Sequence, residues 1–169
     1  MKRLIMIGGT MGVGKTSTGK ALSDLLPSCA FLDGDWCWTY RPECMNEETK
    51  TLVIDNIVHM LRGYLRSTTY QNVVFVWVMH QSAIWESILS RLQDEEYDLY
   101  RFALVSSRRT FEERFLQDVN AGIRRAEDLE GAYARMALYP EMNIPLIGTD
   151  DLGIIDAAKQ ILSRIEDKK

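Results

Sequence analysis

Residues Gly9-Thr-Met-Gly-Val-Gly14-Lys15-Thr16 spell the pattern G-x-x-x-x-G-K-[ST]. Just before them an apolar run from Arg3 to Ile7, bounded by glycine, reads as a buried strand. Just after them Ala21, Leu22, Leu25 and Leu26 mark a helix that stops at Pro27. Strand, glycine loop and helix form the setting in which this motif binds phosphate. Glycine lets the backbone turn left-handed and approach an anion without a Cβ in the way. The N–H groups of Gly9, Thr10, Met11, Gly12, Val13 and Gly14, with Ser17 in the first helical turn behind them, then aim positive dipole at phosphate oxygens. Lys15 supplies a mobile charge for the β- and γ-phosphates, and the Thr16 hydroxyl is placed to ligate Mg2+. A nucleoside triphosphate is the expected ligand.

At 169 residues the chain is expected to form a single domain over 1–169, large enough to bury a substantial core. Its net charge of −4 argues against a broad nucleic-acid-binding surface. The N-terminal apolar stretch breaks at Gly8, and no run approaches the length of a membrane span. A cytoplasmic location, with no membrane partner, is therefore expected. Cys29, Cys37 and Cys44 lack C-x-x-C spacing, and the chain has only His59 and His80 besides, which argues for reduced thiols over a structural zinc site.

Further strands are expected at 30–32, 73–79, 100–105 and 144–147. Asn46 with Glu47 and Glu48 opens a helix expected to run to about Thr68, because Val53, Ile57, Leu61, Tyr64 and Leu65 recur at helical spacing. Other helices are expected over 84–92, from a capping box at Thr110-Phe-Glu-Glu113, over 132–138 and over 154–165. The run from Val73 to Met79 is apolar without alternation, as in a central parallel strand covered on both faces. Five strands alternating with helices imply a parallel α/β sheet, whose ligands sit beyond the strands' carboxyl ends.

Gly9–Thr16, Asp33-Gly34-Asp35 after the second strand and the arginine-bearing segment after the fourth together resemble the small-molecule P-loop kinases. That group contains shikimate, gluconate and adenylate kinases and the chloramphenicol phosphotransferase. Ile147-Gly-Thr-Asp-Asp-Leu152 resembles the turn these enzymes place between last strand and last helix. Asp33–Trp38 with Trp77-Val-Met-His80 is most similar to uncharacterised bacterial nucleotide kinases. The resemblance covers nearly the whole chain, with the phosphate loop its most specific part.

It implies a three-layer α/β/α P-loop NTPase fold, with a five-stranded parallel sheet and a short helical lid at about 110–130. It further implies ATP and Mg2+ as cofactors and a small-molecule phosphoryl acceptor, with nucleotides or nucleosides among the candidates. Asp33 would join the Mg2+ shell and Asp35 would meet the acceptor hydroxyl. Arg114 would lie against the adenine ring, and Arg124 or Arg125 in the lid would cover the transferred phosphoryl group.

Strand three departs from the usual P-loop pattern, since no acidic residue closes it. It offers Trp77, His80 and Gln81 instead, and the last two can hydrogen-bond an acceptor or a phosphate. Trp36, Trp38 and Tyr40 cluster beside Asp35, where aromatic rings can stack on a flat acceptor. Trp36 and Trp38 share one side if that stretch is extended. The competing reading is a nucleotide-binding regulatory module without an acceptor, although the guanine-reading motif Asn-Lys-x-Asp is absent. A nucleic-acid end kinase would need a basic channel, which the composition does not supply. The oligomeric state is not legible in the sequence.

Overall fold

The computed structural model describes residues 1–38 and 44–167. Tyr40, and the turn expected around Pro42, lie outside the described residues. The elements, in chain order, are β1 (Lys2–Gly9), α1 (Lys15–Leu25), β2 (Cys29–Asp33), α2 (Glu47–Arg66), β3 (Asn72–Val76), α3 (Ser82–Leu89), β4 (Tyr97–Val105), α4 (Arg108–Asn120), α5 (Leu129–Met136), β5 (Leu146–Gly148) and α6 (Ile154–Glu166). A 3-10 turn over Gly34–Trp38 follows β2 directly.

The five strands make one parallel sheet in the order β2-β3-β1-β4-β5. Alternate residues of one strand face opposite layers, and this chain uses both faces. Ile5 and Ile7 of β1, with Val74 and Val76 of β3, pack under α1 and α6 through Leu22, Ala157 and Ile161. Leu4, Met6, Val73 and Phe75 pack on the other face under Val53, Ile57 and Leu61 of α2 and Trp85 and Ile88 of α3. Helices on both faces explain why β1 and β3 read as continuous apolar runs. The three-layer parallel architecture expected from the sequence is the one observed.

A smaller cluster of Phe111, Phe115 and Ala132, with Met11 of the glycine loop packed against it, ties α4 and α5 to the site. Among the described residues no helix is long and apolar enough to cross a membrane.

Several boundaries move. The strand expected over 73–79 ends at Val76, level with Asp33, the last residue of β2, while β1 runs on to Gly9 beside β4. Trp77 to Gln81 is thereby released as loop at the sheet's carboxyl edge. The capping box expected at Thr110 is replaced by a Ser107 cap, whose hydroxyl accepts from the Thr110 amide at 3.3 Å, so α4 starts earlier. On α2 Asn46 and Thr49 form a reciprocal capping box, and the helix ends at Arg66 rather than 68. The helix expected over 132–138 is shifted to Leu129–Met136. The last strand begins at Leu146, after Pro145, which has no amide hydrogen to give the ladder.

Candidate active site

β1 lies at the centre, with β3 on one side and β4 on the other, so the chain changes direction across the sheet at the carboxyl end of β1. That switch point opens a crevice, and the glycine loop fills its floor. Gly14 caps α1 at φ 98°, a left-handed geometry that disfavours any side chain. The first turn of α1 carries no acidic residue and its cap makes no side-chain hydrogen bond, so the helix N-terminus is left for an anion.

Lys15 is half-buried beneath the loop, and its Nζ donates to the Thr10 carbonyl at 2.8 Å. Desolvation lowers its amine to about 8, with Asp35 and then Asp33 opposing and Arg124 adding to the fall. Thr16 Oγ1 donates to Asp33 Oδ2 at 2.6 Å. The other oxygen of this buried carboxylate, Oδ1, accepts from the Asp35 amide at 3.0 Å.

Asp35 is held in turn by Trp77, whose Nε1 donates to Asp35 Oδ1 at 3.1 Å. Gly34 makes this bond possible, because a Cβ there would stand 2.5 Å from the Trp77 ring. Burial, and then the charge of Asp33, push the Asp35 carboxyl up; Lys15, the Trp77 bond and Arg124 pull it back. Lys15, Thr16, Asp33, Asp35 and Trp77 thus form one connected polar cluster across α1, β2 and the loop after β3.

Two cavities flank the cluster, one on each side of the glycine loop. The smaller, of about 230 Å³, is walled by Gly12, Gly14, Thr18, Arg114, Thr149 and Leu152. Arg114 is fixed there by two bonds to Thr149, to its Oγ1 at 3.1 Å and its carbonyl at 2.8 Å. The larger, of about 540 Å³, begins at Asp35 and Met11 and runs between the loop after β3 and α2, α3 and α5.

The sequence-derived candidates divide on this frame. Gly9 to Ser17, Asp33, Asp35 and Arg114 all lie at the crevice. Trp38 and His80 are on the wall of the larger cavity. Burial, followed by the charge of Arg135, pushes the His80 imidazole below its ordinary range. Trp36 is elsewhere: it is 56 % exposed, edge-on to Phe31, with the Lys20 amine over its ring. The expected shared side for Trp36 and Trp38 required an extended chain, whereas a 3-10 turn sends residues two apart in different directions. Gln81 is exposed at the start of α3 and is absent from the cavity wall.

The two arginines expected in a lid separate as well. Arg124 is mostly buried, pairs with Asp118 at 2.7 Å and lies over the Phe115 ring, with its charge reaching both Lys15 and Asp35. Arg125 is exposed and pairs with Glu127 at 2.9 Å. Sequence reasoning missed the anchoring role of Trp77 and all of Lys50, Ile54, Ile84 and Arg135 on the larger cavity's wall. The i, i+4 spacing of Lys50 and Ile54 on α2 was a usable signal; nothing local marks Arg135.

Among the described residues no three His, Cys, Asp or Glu side chains converge on a point. A Mg2+ ion in a nucleotide site needs only one or two protein oxygens and otherwise takes phosphate and water. Thr16 and the hydrogen-bonded Asp33 supply such oxygens.

The central glycine loop, the helix N-terminus behind it and the paired cavities define a P-loop nucleotide-binding α/β protein. The chain belongs to the AAA domain family, whose model matches residues 5–134. No curated protein matches it at a significant level. Solved structures do. The tunicamycin resistance protein of Deinococcus radiodurans shares 19 % identity over 98 % of this chain and 96 % of its own, at a TM-score of 0.70. The APS kinase of Mycobacterium tuberculosis, in complex with AMPPNP and APS, shares 15 % over 98 % of each chain at 0.72. The shikimate kinase of Acinetobacter baumannii, in complex with shikimate, shares 21 % over 100 % and 96 % at 0.65. The resemblance read from the motifs therefore holds for the fold across the full length.

Proposed function

We propose that this protein is an ATP-dependent phosphotransferase acting on a hydroxyl group of a small molecule. The observation that carries the reading is the polar cluster Lys15–Thr16–Asp33–Asp35 placed between two cavities, one for each substrate. The fold shared with small-molecule kinases, one of them in complex with AMPPNP, supports ATP as donor.

On this reading the smaller cavity takes the base, with the Arg114 guanidinium, held flat by Thr149, against its face. The loop amides hold the phosphates, and Lys15 leaves the Thr10 carbonyl for the γ-phosphate. Thr16 and Asp33 hold Mg2+, which supplies charge neutralisation along the phosphates. In the larger cavity Asp35 accepts the proton of the acceptor hydroxyl while that oxygen bonds to the γ-phosphorus. The bond from the γ-phosphorus to the β–γ bridging oxygen breaks, and ADP leaves. The raised affinity of Asp35 for a proton suits this part, and the Trp77 bond fixes which oxygen stays free. Arg124 balances the charge on the moving group. The large cavity beside Asp35 favours this reading over a regulatory module with no acceptor.

The test is ADP release with Mg2+ and pooled nucleosides, nucleotides, sugar acids and antibiotics, run beside Asp35→Asn. Acceptor-dependent release that falls by about a hundredfold or more in the variant is the expected result. Tight ATP binding with no acceptor-stimulated turnover in any pool overturns the reading in favour of a nucleotide-sensing module.

A further inference from the structure

The larger cavity has an unusual balance of surfaces for a site that meets a charged phosphoryl donor. Its wall is mainly apolar: Met11, Trp38, Ile54, Trp77, Val78 and Ile84 make most of it. Its charged groups are few among the described residues. Asp35 stands at the donor end. Lys50 is paired with Glu47 at 2.8 Å on the exposed side of α2. Arg135 is half-buried on α5, and its guanidinium takes no ion-pair or hydrogen-bond partner among the described residues. A guanidinium kept partly out of water without a carboxylate forgoes two strong, geometrically matched bonds.

Arg135 also stands apart from the transfer chemistry. The charge of Arg124 reaches Lys15 and Asp35, whereas the charge of Arg135 reaches His80 and Tyr139. Burial, and then the charge of Arg135, hold the His80 imidazole below its ordinary range, which disfavours a second cation beside Arg135. The cavity therefore presents a carboxylate at one end, tryptophan and aliphatic walls along its length and, among the described residues, one unmatched cation on its wall.

We infer that the acceptor is a flat, largely apolar alcohol carrying a single anionic group such as a carboxylate, with its hydroxyl at Asp35 and its anion on Arg135. This rests on the kinase reading above and narrows it. A sugar acid would leave its ring of hydroxyls unmatched against apolar walls, at a cost for each group buried without a partner. A nucleoside monophosphate would bring a dianion to a wall with one unpaired cation among the described residues.

The experiment is calorimetric titration of the full chain with hydroxymethylnaphthoate, its methyl ester, gluconate and AMP, followed by ADP release with MgATP and each compound. The naphthoate is expected to bind roughly ten- to a hundredfold more tightly than its ester, the range of a charge-assisted bond. Arg135→Gln is expected to erase that difference while leaving the ester's affinity in place, and Arg135→Lys to restore part of it. Equal binding of acid and ester to the unaltered protein, or no binding of either, overturns the inference without any variant. Stimulation of ADP release by gluconate or AMP but not by the naphthoate overturns the acceptor class and leaves the kinase reading standing. Tight, Arg135-dependent binding of the naphthoate with no ADP release with any of these compounds or with the acceptor pools supports the assigned site and removes the kinase reading instead.

Discussion

Lys15 has its amine lowered to about 8 because burial under the glycine loop outweighs the two neighbouring carboxylates. A bound triphosphate adds several negative charges beside it and so raises the amine again. Below pH 8 Lys15 is charged with or without nucleotide, and binding takes up no proton there. Above pH 8 the free protein has lost the proton and the complex has regained it, so ATP binding takes up a proton and weakens as pH rises. The slope approaches, at most, about tenfold per pH unit. Titration of ATP binding between pH 7 and 9.5 is expected to show this loss. In Lys15→Met affinity is expected to be lower and flat over the same range; an equally steep loss in the variant would assign the titration elsewhere. At this scale the sequence was informative where spacing along the chain equals proximity in space. Lys15 and Thr16 follow from the loop, and Asp33 and Asp35 from two carboxylates at a strand's end. Trp77 was visible at the end of β3, but its bond to Asp35 depends on Gly34 admitting the ring, forty-three positions away in the chain.

The elements were legible in number, type and order, because β1 and β3 are covered on both faces and α2 and α6 carry clear helical periodicity. Their ends were less so. β3 stops where its outer neighbour β2 ends at Asp33, which is a property of the sheet and not of Val73–Met79. The segment joining α4 to α5 was the least legible, since Gly122, at φ 72°, and a short 3-10 turn break its periodicity. Yet this connection separates the two arginines that the sequence left equivalent. Arg124 folds back against Asp118 and Phe115, over the site, while Arg125 points to solvent. Arg124→Ala is expected to lower kcat by roughly a hundredfold or more, the usual cost of one donor to a charge formed in the transition state. Arg125→Ala is expected to stay within about twofold of the unaltered protein, since an exposed pair contributes little. Steady-state kinetics on the two variants decides the matter, and a reversed order would place the covering charge on Arg125.

Over the whole molecule, β1 is the element on which everything converges. Its alternate side chains enter both cores, Leu4 and Met6 one and Ile5 and Ile7 the other, and its carboxyl end becomes the glycine loop. Neither core can be lost while the other keeps its strand, and the loop cannot hold its shape once β1 is released. This coupling was readable from the sequence only in outline, because parallel pairing brings together residues such as Ile7 and Phe102 that no local pattern links. It also explains why the larger cavity's wall was hard to foresee: α2, α3 and α5 each contribute one to three side chains, and only the sheet brings them to one place. A physical consequence is that the chain should unfold as one unit and that nucleotide should stabilise all of it. A ligand present at a hundred times its Kd adds about 2.7 kcal/mol to the folded state. For a chain of this size each kcal/mol moves Tm by about 2–4 °C. Thermal unfolding with MgATP at that excess is therefore expected to show a single transition shifted upwards by roughly 5–11 °C. Two separated transitions, with only one moved by nucleotide, would mean that the segment carrying α4 and α5 folds independently of the sheet. The packing of Met11 against the Phe111, Phe115 and Ala132 cluster argues against that, since it ties α4 and α5 to the glycine loop.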